Sequence, residues 1–205
     1  MEKNNDVKSM LKDAGILFAI TLLAGLMLGF VYELTKEPIR IQEEKAIQEA
    51  CQAVFADASG FEALKYTPTL EMTDKLATDG VEIGTVYKAS DASGVMMGYV
   101  VETTSSEGYG GDITLYVGIT NEGVVNGISI LSIAETPGLG MNAESVLVPQ
   151  FENVEATVFT ITKTGSTSES EIDAISGATI TTKAIVNAVN GAITIVTEEI
   201  MKGGN

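Results

Sequence analysis

One segment constrains this chain more than any other. Residues 14–34 read AGILFAITLLAGLMLGFVYEL and carry no charge before Glu33. At about 1.5 Å per residue, roughly 20 helical residues span the hydrocarbon core of a bilayer, which is about 30 Å thick. No small-x-small cleavage site follows the segment, so a cleaved signal peptide fits it less well. The segment therefore predicts a single transmembrane helix.

Small residues recur every four positions in this segment, at Thr21, Gly25 and Gly29. Such a stripe lets a second helix approach closely in lipid, although glycine is also common in membrane helices. Three basic residues precede the segment and three follow it closely. The basic residues therefore do not set the orientation of the helix.

Composition excludes several kinds of function. The chain has 12 basic and 28 acidic residues and a net charge of -16, whereas a nucleic-acid-binding protein needs clustered Lys and Arg. It has no histidine and one cysteine, which excludes Ser-His and Cys-His catalysis, an internal disulfide and cysteine-ligated clusters. Cys51 lies among apolar residues at helical spacing and is interpreted as a packed residue. No metal site is predicted, and redox chemistry would need an organic cofactor.

The periodicities predict an α+β chain in four parts. They are an N-terminal tail (1–13), the transmembrane helix (14–34), a juxtamembrane stalk helix (35–58) with Pro38 in a first-turn position, and a folded domain (59–205). Within the domain, strands are predicted at 81–88, 94–104, 113–120 and 124–133, with a turn at 121–123. Helices are predicted at 141–148 and 182–201. The strands form an antiparallel meander with packed helices.

Three glycine-bearing loops interrupt these elements, at residues 107–111, 135–140 and 176–182. The first two, taken alone, predict turns, because Gly and Pro mark turns. The third precedes an amphipathic helix, whose first N–H groups and positive dipole end favour a phosphate. Gly177 lets the backbone approach a ligand, and either Thr181 or Thr182 is expected to cap the helix. The residues alone predict an anion site at the third loop.

The third loop also carries a specific resemblance. Residues 173–179 read DAISGAT, which resembles the recognition motif of flavin transferases, enzymes that move FMN from FAD onto a threonine hydroxyl as a phosphoester. The first two loops contain GYGG and ETPGLG. They resemble loops of the FMN-binding domain that the G subunit of the Rnf complex shares with the C subunit of the sodium-translocating NADH:quinone reductase. With the anchor, the resemblance covers nearly the whole chain.

The resemblance implies FMN bonded covalently to Thr179, with no catalytic residue. It also implies that the transferase recognises four residues of the same motif: Asp173, Ser176, Gly177 and Ala178. Of these, Ser176, Gly177 and Ala178 would also contact the cofactor. It places residues of the other two loops and one upstream lysine near the flavin: Tyr109, Gly110, Thr136, Gly138, Leu139, Gly140 and Lys163. Lys163 would meet the phosphate charge, but a surface lysine explains it as well.

In function, the resemblance implies a redox subunit of a translocase rather than a stand-alone enzyme. As an Rnf subunit, which the short chain favours, it would relay electrons between reduced ferredoxin and NAD⁺ with the other membrane subunits, while the complex drives Na⁺ or H⁺ across the membrane. It would be a single-pass protein of the cytoplasmic membrane, with its FMN domain on the extracytoplasmic side. The alternatives are the quinone-reductase subunit, a membrane-anchored module that binds a phosphate ligand without redox chemistry, and a structural subunit.

Overall fold

The computed structural model describes residues 2–203, with side chains described for residues 10–202. Met1, Gly204 and Asn205, which lie at the ends of the predicted tail and the predicted domain, are outside the described residues. The chain divides into two compact units, Met1–Lys45 and Ala46–Asn205.

Helix α1 runs continuously over Glu2–Val54. Pro38 lies inside it, although a proline within a helix removes one backbone hydrogen bond. Side-chain pairs across successive turns support the helix there, since Arg40 contacts Glu37 at 2.6 Å and Glu44 at 2.5 Å. The structure therefore shows one helix where the sequence predicts a new helix near Pro38, and the division into anchor and stalk at residue 34 stays a prediction.

Two helices in the described part of the chain are long and apolar enough to cross a membrane. Met10–Val54 reaches a mean hydropathy of 2.4 with none of its apolar window buried, whereas Thr179–Ile200 reaches 1.2 with 67% of its window buried. The exposed apolar helix indicates membrane association. The buried helix belongs to the core of the second unit.

The second unit contains an antiparallel sheet of six strands, in which each strand pairs with the next along the chain. The strands are β1 (Gly60–Leu64), β2 (Val81–Ser90), β3 (Met96–Ser105), β4 (Ile113–Thr120), β5 (Val124–Ser132) and β6 (Val154–Glu155). The predicted α+β class and meander are confirmed, because each of the four predicted strands coincides with one of β2 to β5. The turn between β4 and β5 is also confirmed, with Gly123 at a φ of 78°.

Helices and a small second sheet complete the unit. They are α2 (Leu70–Thr78), α3 (Ala143–Val146) between two 3₁₀ turns (Gly140–Asn142 and Val148–Phe151), the parallel pair β7 (Thr160–Thr162) and β8 (Glu171–Asp173), and α4 (Thr179–Thr194). The chain continues from α4 through a π-helical stretch, Ile195–Ile200, into α5 (Met201–Gly203).

Helix α4 packs on one face of the sheet. Successive strand residues point to opposite faces, and Val101, Leu115 and Val117 of β3 and β4 are fully buried in one cluster with Ile185 and Val189 of α4. This contact holds α4 against the middle of the sheet.

The end of α1 packs on the opposite face. Cys51 and Val54 form a buried cluster with Val100 and Tyr116, and Cys51 is 1% exposed, as its apolar surroundings predict. A Cβ on Gly118 would lie 2.9 Å from the Val54 Cβ, so a glycine is needed at this point of β4. Two helices therefore enclose the sheet.

Candidate functional site

Strand register brings the first two glycine-bearing loops to the same end of the sheet. Ser105, the last residue of β3, pairs with Ile113, the first residue of β4. Thr114 in turn pairs with Ser132, the last residue of β5. The β3–β4 loop, residues 106–112, and the loop that follows β5 therefore emerge side by side, although about 25 residues separate them in sequence.

The three glycine-bearing loops meet at one cavity of about 500 Å³, a volume in the range of roughly 300–1,000 Å³ that small-molecule sites occupy. Its lining comes from the β3–β4 loop, the loop after β5, and the third loop with the first turn of α4: Tyr109, Glu135, Thr136, Leu139, Gly140, Gly177, Ala178, Thr179, Ile180 and Thr181. The lining contains both apolar and polar side chains, as in a site for an amphipathic ligand.

The β3–β4 loop is fixed from two sides. On its outer side, the Glu107 carboxylate accepts hydrogen bonds from Lys183 Nζ at 3.1 Å and Asn187 Nδ2 at 3.2 Å, both on α4. On its inner side the loop lies against the backbone after β5, where a Cβ on Gly110 would lie 2.0 Å from the carbonyl oxygen of Ala134. Only a glycine can occupy that position.

Glu135 joins the first loop to the second. It is 7% exposed, and its Oε1 accepts hydrogen bonds from the backbone N–H groups of Tyr109 at 2.8 Å and Gly110 at 3.2 Å. Because a buried carboxylate is costly unless hydrogen-bonded, these two donors explain how Glu135 is accommodated.

The second loop folds back over the cavity as a tight turn. The N–H groups of Leu139 and Met141 donate to the carbonyl oxygen of Thr136, at 3.1 and 3.3 Å. Gly138 has a φ of 77°, a conformation that glycine adopts at little cost. The Leu139 side chain is 39% exposed and reaches the third loop, since a Cβ on Gly177 would lie 3.0 Å from Leu139 Cδ2.

Thr182 holds the third loop against α4. Its buried hydroxyl accepts a hydrogen bond from the Ile175 N–H at 3.1 Å and donates one to the Ala178 carbonyl oxygen at 2.9 Å. The helix begins at Thr179, three residues before the predicted start, and Ala178 provides no side-chain cap. The first N–H groups of α4 therefore remain available to an anion at the cavity.

Thr179 lies at the centre of this arrangement. It is the first residue of α4 and half-buried in the cavity wall. Within the described part of the chain its hydroxyl makes no hydrogen bond, so it is free to react or to bind.

The structure brings most of the predicted site residues to the cavity wall and leaves others outside it. Tyr109, Thr136, Leu139, Gly140, Gly177, Ala178 and Thr179 line the cavity, and Gly110 and Gly138 lie in its loops. Lys163 is exposed after β7 and is not part of the wall, and neither is exposed Ser176. Asp173 belongs to β8, where its backbone N–H donates to Gln150 Oε1 at 2.7 Å.

Three residues of the wall were not predicted: Glu135, Ile180 and Thr181. Glu135 begins the ETPGLG run, but nothing in the sequence shows that its side chain is buried against a loop 25 residues upstream. Thr181 is 1% exposed, and the sequence suggests only a capping role for it.

Charge is distributed unevenly around the cavity. Among the described residues that line it there is no Lys or Arg, and Glu135 is the one acidic side chain. A phosphate at this position would therefore depend on the N–H groups and dipole of α4.

The residues that form this cavity fall within a segment that matches a known cofactor-binding family. Residues 108–194, which take in the GYGG run of the first loop and all of the other two loops, match the family model of the FMN-binding domain, and residues 1–54 match that of the RnfG N-terminal region. The fold and the site therefore define an FMN-binding protein with an apolar N-terminal helix. The wall fits such a cofactor, since it combines a helix N-terminus for a phosphate with apolar side chains for a ring.

Similar proteins identify the family. The chain is 32% identical over 192 residues to the G subunit of the Na⁺-translocating ferredoxin:NAD⁺ oxidoreductase complex of Acetobacterium woodii, covering 93% of each chain. It is 32% identical over 194 residues to the proton-translocating counterpart of Clostridium ljungdahlii, covering 91% of this chain and 95% of the relative. The chain belongs to the RnfG family, the G subunits of the Rnf ion-translocating oxidoreductase complexes, and it is an electron-transfer subunit that uses FMN.

A crystal structure of NqrC from Shewanella oneidensis shows a more distant likeness, with 20% identity and a TM-score of 0.49 over 58% of this chain and 61% of that chain.

Proposed function

We propose that this chain relays electrons within a membrane-bound, ion-translocating ferredoxin:NAD⁺ oxidoreductase complex, through FMN bonded to Thr179 by a phosphoester. One observation carries the proposal: Thr179 opens α4 in the wall of the cavity where all three loops meet, and its hydroxyl makes no hydrogen bond within the described part of the chain. The two relatives are named as subunits of such complexes.

The charge of the cavity supports a covalent bond. Free FMN ends in a phosphate monoester, which carries close to two negative charges at neutral pH, whereas a phosphodiester to threonine carries one. No Lys or Arg lines the described wall, and Glu135 adds a carboxylate. The N-terminus of α4 supplies about half a positive charge, which suits the diester better than the monoester.

Attachment balances as a phosphoryl transfer. The Thr179 hydroxyl loses its proton and forms an O–P bond to the FMN phosphorus of FAD, while the bond between the two phosphates breaks and AMP leaves. Such a reaction needs a transferase that recognises the third loop. Asp173 and Ser176 lie outside the cavity wall, and Ser176 is exposed, which leaves part of the motif accessible to another protein.

The residues of the wall are suited to hold FMN. The α4 N-terminus would bind the phosphate, and Leu139, Ile180 and Tyr109 offer apolar surface to the ring. When bound, the flavin supplies reversible electron transfer, and no side chain has to supply an acid or a base. Tyr109 is 71% exposed and Ile180 is 53% exposed, so the rim of the cavity is open to electron-transfer partners.

We also propose that the predicted segment 14–34 is the membrane anchor, that residues 35–58 form the stalk, and that the other membrane subunits of the complex are the partners. The flavin domain is proposed to lie on the extracytoplasmic side. Protease added to intact spheroplasts should then digest the domain, and digestion only after lysis would contradict this placement.

Intact mass tests the covalent bond. The full chain is co-expressed with a flavin transferase, purified in detergent and denatured, and the wild type is compared with Thr179→Val, which has nearly the same shape and no hydroxyl. We expect the wild type to gain the mass of FMN less one water and to fluoresce in a denaturing gel, and Thr179→Val to do neither. Thr194→Val, a matched change later in α4, should gain the full mass.

The contrary results are equally specific. Flavin that remains with the native wild type but leaves on denaturation would show a non-covalent FMN protein. No flavin in either state, with an active transferase present, would favour a module that binds another phosphate ligand.

A further inference from the structure

Glu135 differs from every other acidic residue that the structure describes. It is the one charged side chain among the described residues that is buried, and it lies in the cavity wall. Burying a carboxylate is costly, so natural proteins rarely do it without a structural or functional reason. Its two oxygens have different surroundings.

The first oxygen, Oε1, is fully used within the protein. It accepts the N–H groups of Tyr109 and Gly110, which are adjacent in the β3–β4 loop. A single carboxylate oxygen thereby fixes the backbone of that loop against the chain after β5. Both partners in this contact are protein groups, so it does not depend on a cofactor atom.

The second oxygen, Oε2, accepts no hydrogen bond from the described residues and lies close to Gly140. A Cβ at Gly140 would be 2.8 Å from Glu135 Oε2 and 2.7 Å from Thr181 Oγ1, so the absence of a side chain at Gly140 leaves these two oxygens flanking the same small space. The Thr181 hydroxyl also has no partner among the described residues. Both oxygens keep some solvent-accessible surface, and both residues line the cavity. A bound molecule can therefore reach them.

We propose that Glu135 is a positioning residue that also sets the reduction potential of the flavin. Oε1 holds the β3–β4 loop in place, while Oε2, which flanks the space at Gly140 with the Thr181 hydroxyl, faces the cavity that would hold the cofactor. This inference rests on the proposed function, because it needs FMN in this cavity.

The direction of the effect follows from charge. Reduction adds negative charge to a flavin, and no Lys or Arg among the described residues of the wall offsets the carboxylate. Repulsion between like charges is strong where water is partly excluded. Glu135 therefore makes FMN in this cavity harder to reduce and lowers its midpoint potential, because a charge in the site is one means by which proteins tune a flavin.

Two variants separate the two roles. Glu135→Gln keeps the shape and an oxygen that can accept the two N–H groups, but it removes the charge. Glu135→Ala removes both. Asp112→Asn is the charge-matched control, because Asp112 is an exposed acid in the same loop that does not line the cavity.

The first measurement needs no cofactor. In full-length Thr179→Val protein, hydrogen exchange is followed at the amides of Tyr109 and Gly110. We expect Glu135→Ala to speed their exchange roughly tenfold or more, since hydrogen bonds to a charged group are the stronger ones. Glu135→Gln should change it much less, and unchanged exchange in Glu135→Ala would overturn the loop-holding role.

The second measurement uses protein whose FMN attachment has been confirmed by intact mass. Spectroelectrochemical titration should give a higher midpoint potential for Glu135→Gln than for the wild type, with a much smaller change in Asp112→Asn. An equal change in both variants, or none in Glu135→Gln, would overturn the tuning role and leave the proposed function intact. Absence of FMN from the wild type would instead contradict the proposed function itself.

Discussion

The hydroxyl of Thr182 provides the sharpest test of how the third loop is held. Thr182 is fully buried, and its hydroxyl accepts from the Ile175 N–H and donates to the Ala178 carbonyl oxygen. Thr182→Val keeps nearly the same shape and removes both hydrogen bonds. The Ile175 N–H then has no acceptor in a region where the Ile175 residue is 5% exposed.

The magnitude follows from what each group loses. A buried donor left without a partner costs about 1–3 kcal/mol. The Ala178 carbonyl oxygen still accepts the Thr182 N–H at 3.0 Å. Loss of the hydrogen bond from the Thr182 hydroxyl to this oxygen therefore adds little to the cost. We expect a loss of about 2 kcal/mol in the free energy of unfolding, which for a domain of this size lowers Tm by roughly 4–8 °C.

Thermal unfolding of the full chain in detergent measures this loss. The chain has six tyrosines and no tryptophan, so tyrosine circular dichroism reports on the folded domain. Thr182→Ser keeps the hydroxyl and should lose less. Thr194→Val removes only a donor to the Asn190 carbonyl oxygen and leaves no N–H unpaired. If Thr182→Val and Thr194→Val lowered Tm equally, the assignment of Thr182 as the residue that holds the loop would be refuted.

Three further predictions concern other parts of the domain. Gly140→Ala places a Cβ 2.7 Å from Thr181 Oγ1 and should lower the free energy of unfolding by about 1–3 kcal/mol. It should also reduce the fraction of chain that carries FMN, as measured by intact mass. Wild-type values for both quantities would contradict the contact. Cys51, 1% exposed, should resist a maleimide in native protein and react in urea, and equal rates would contradict the packing of the α1 end. Hydrogen bonds from the Thr69 hydroxyl and other donors lower the pKa of Glu199 from 4.5, so their stabilisation is present above pH 4.5 and is lost as the pH falls through the lower folded value. Urea midpoints of wild type and Glu199→Gln should therefore differ at neutral pH and converge in acid, and a constant difference would contradict this.

Sequence patterns predict the elements that have strong local signals. Strands β2 to β5 alternate in burial or carry apolar runs, and a glycine turn joins β4 to β5. Strands β7 and β8 have three residues each, which is too short for an alternating pattern to stand out. Their pairing depends on a contact between segments that are separated in sequence. The apolar stripe that begins at Ile185 predicts a helix from residue 182, but α4 begins at Thr179, and the Thr182 hydroxyl bonds back to Ala178 within the first turn.

The sequence predicts the parts of the candidate site that have a local signal. Glycine clusters and the run at 173–179 indicate which loops matter, and strand register then brings two of them together. The role of Glu135 depends on burial and on contacts with backbone groups 25 and 26 residues away, which no local pattern contains. Thr181 likewise resembles an ordinary cap residue until its hydroxyl is seen beside Gly140.

A cofactor that relays electrons has to stay in its site and also remain accessible to partner proteins. The geometry of this cavity affects both requirements. Tyr109, Leu139 and Ile180 are all exposed at the rim, so burial alone would hold a flavin weakly. The wall offers no Lys or Arg among its described residues, so only the N-terminus of α4 would attract the phosphate. In the proposed function the ester to Thr179 supplies retention, which leaves the rim free for partners. Glu135 can then remain in the wall as a carboxylate that tunes the cofactor, a charge that a site dependent on binding a free phosphate could not easily tolerate.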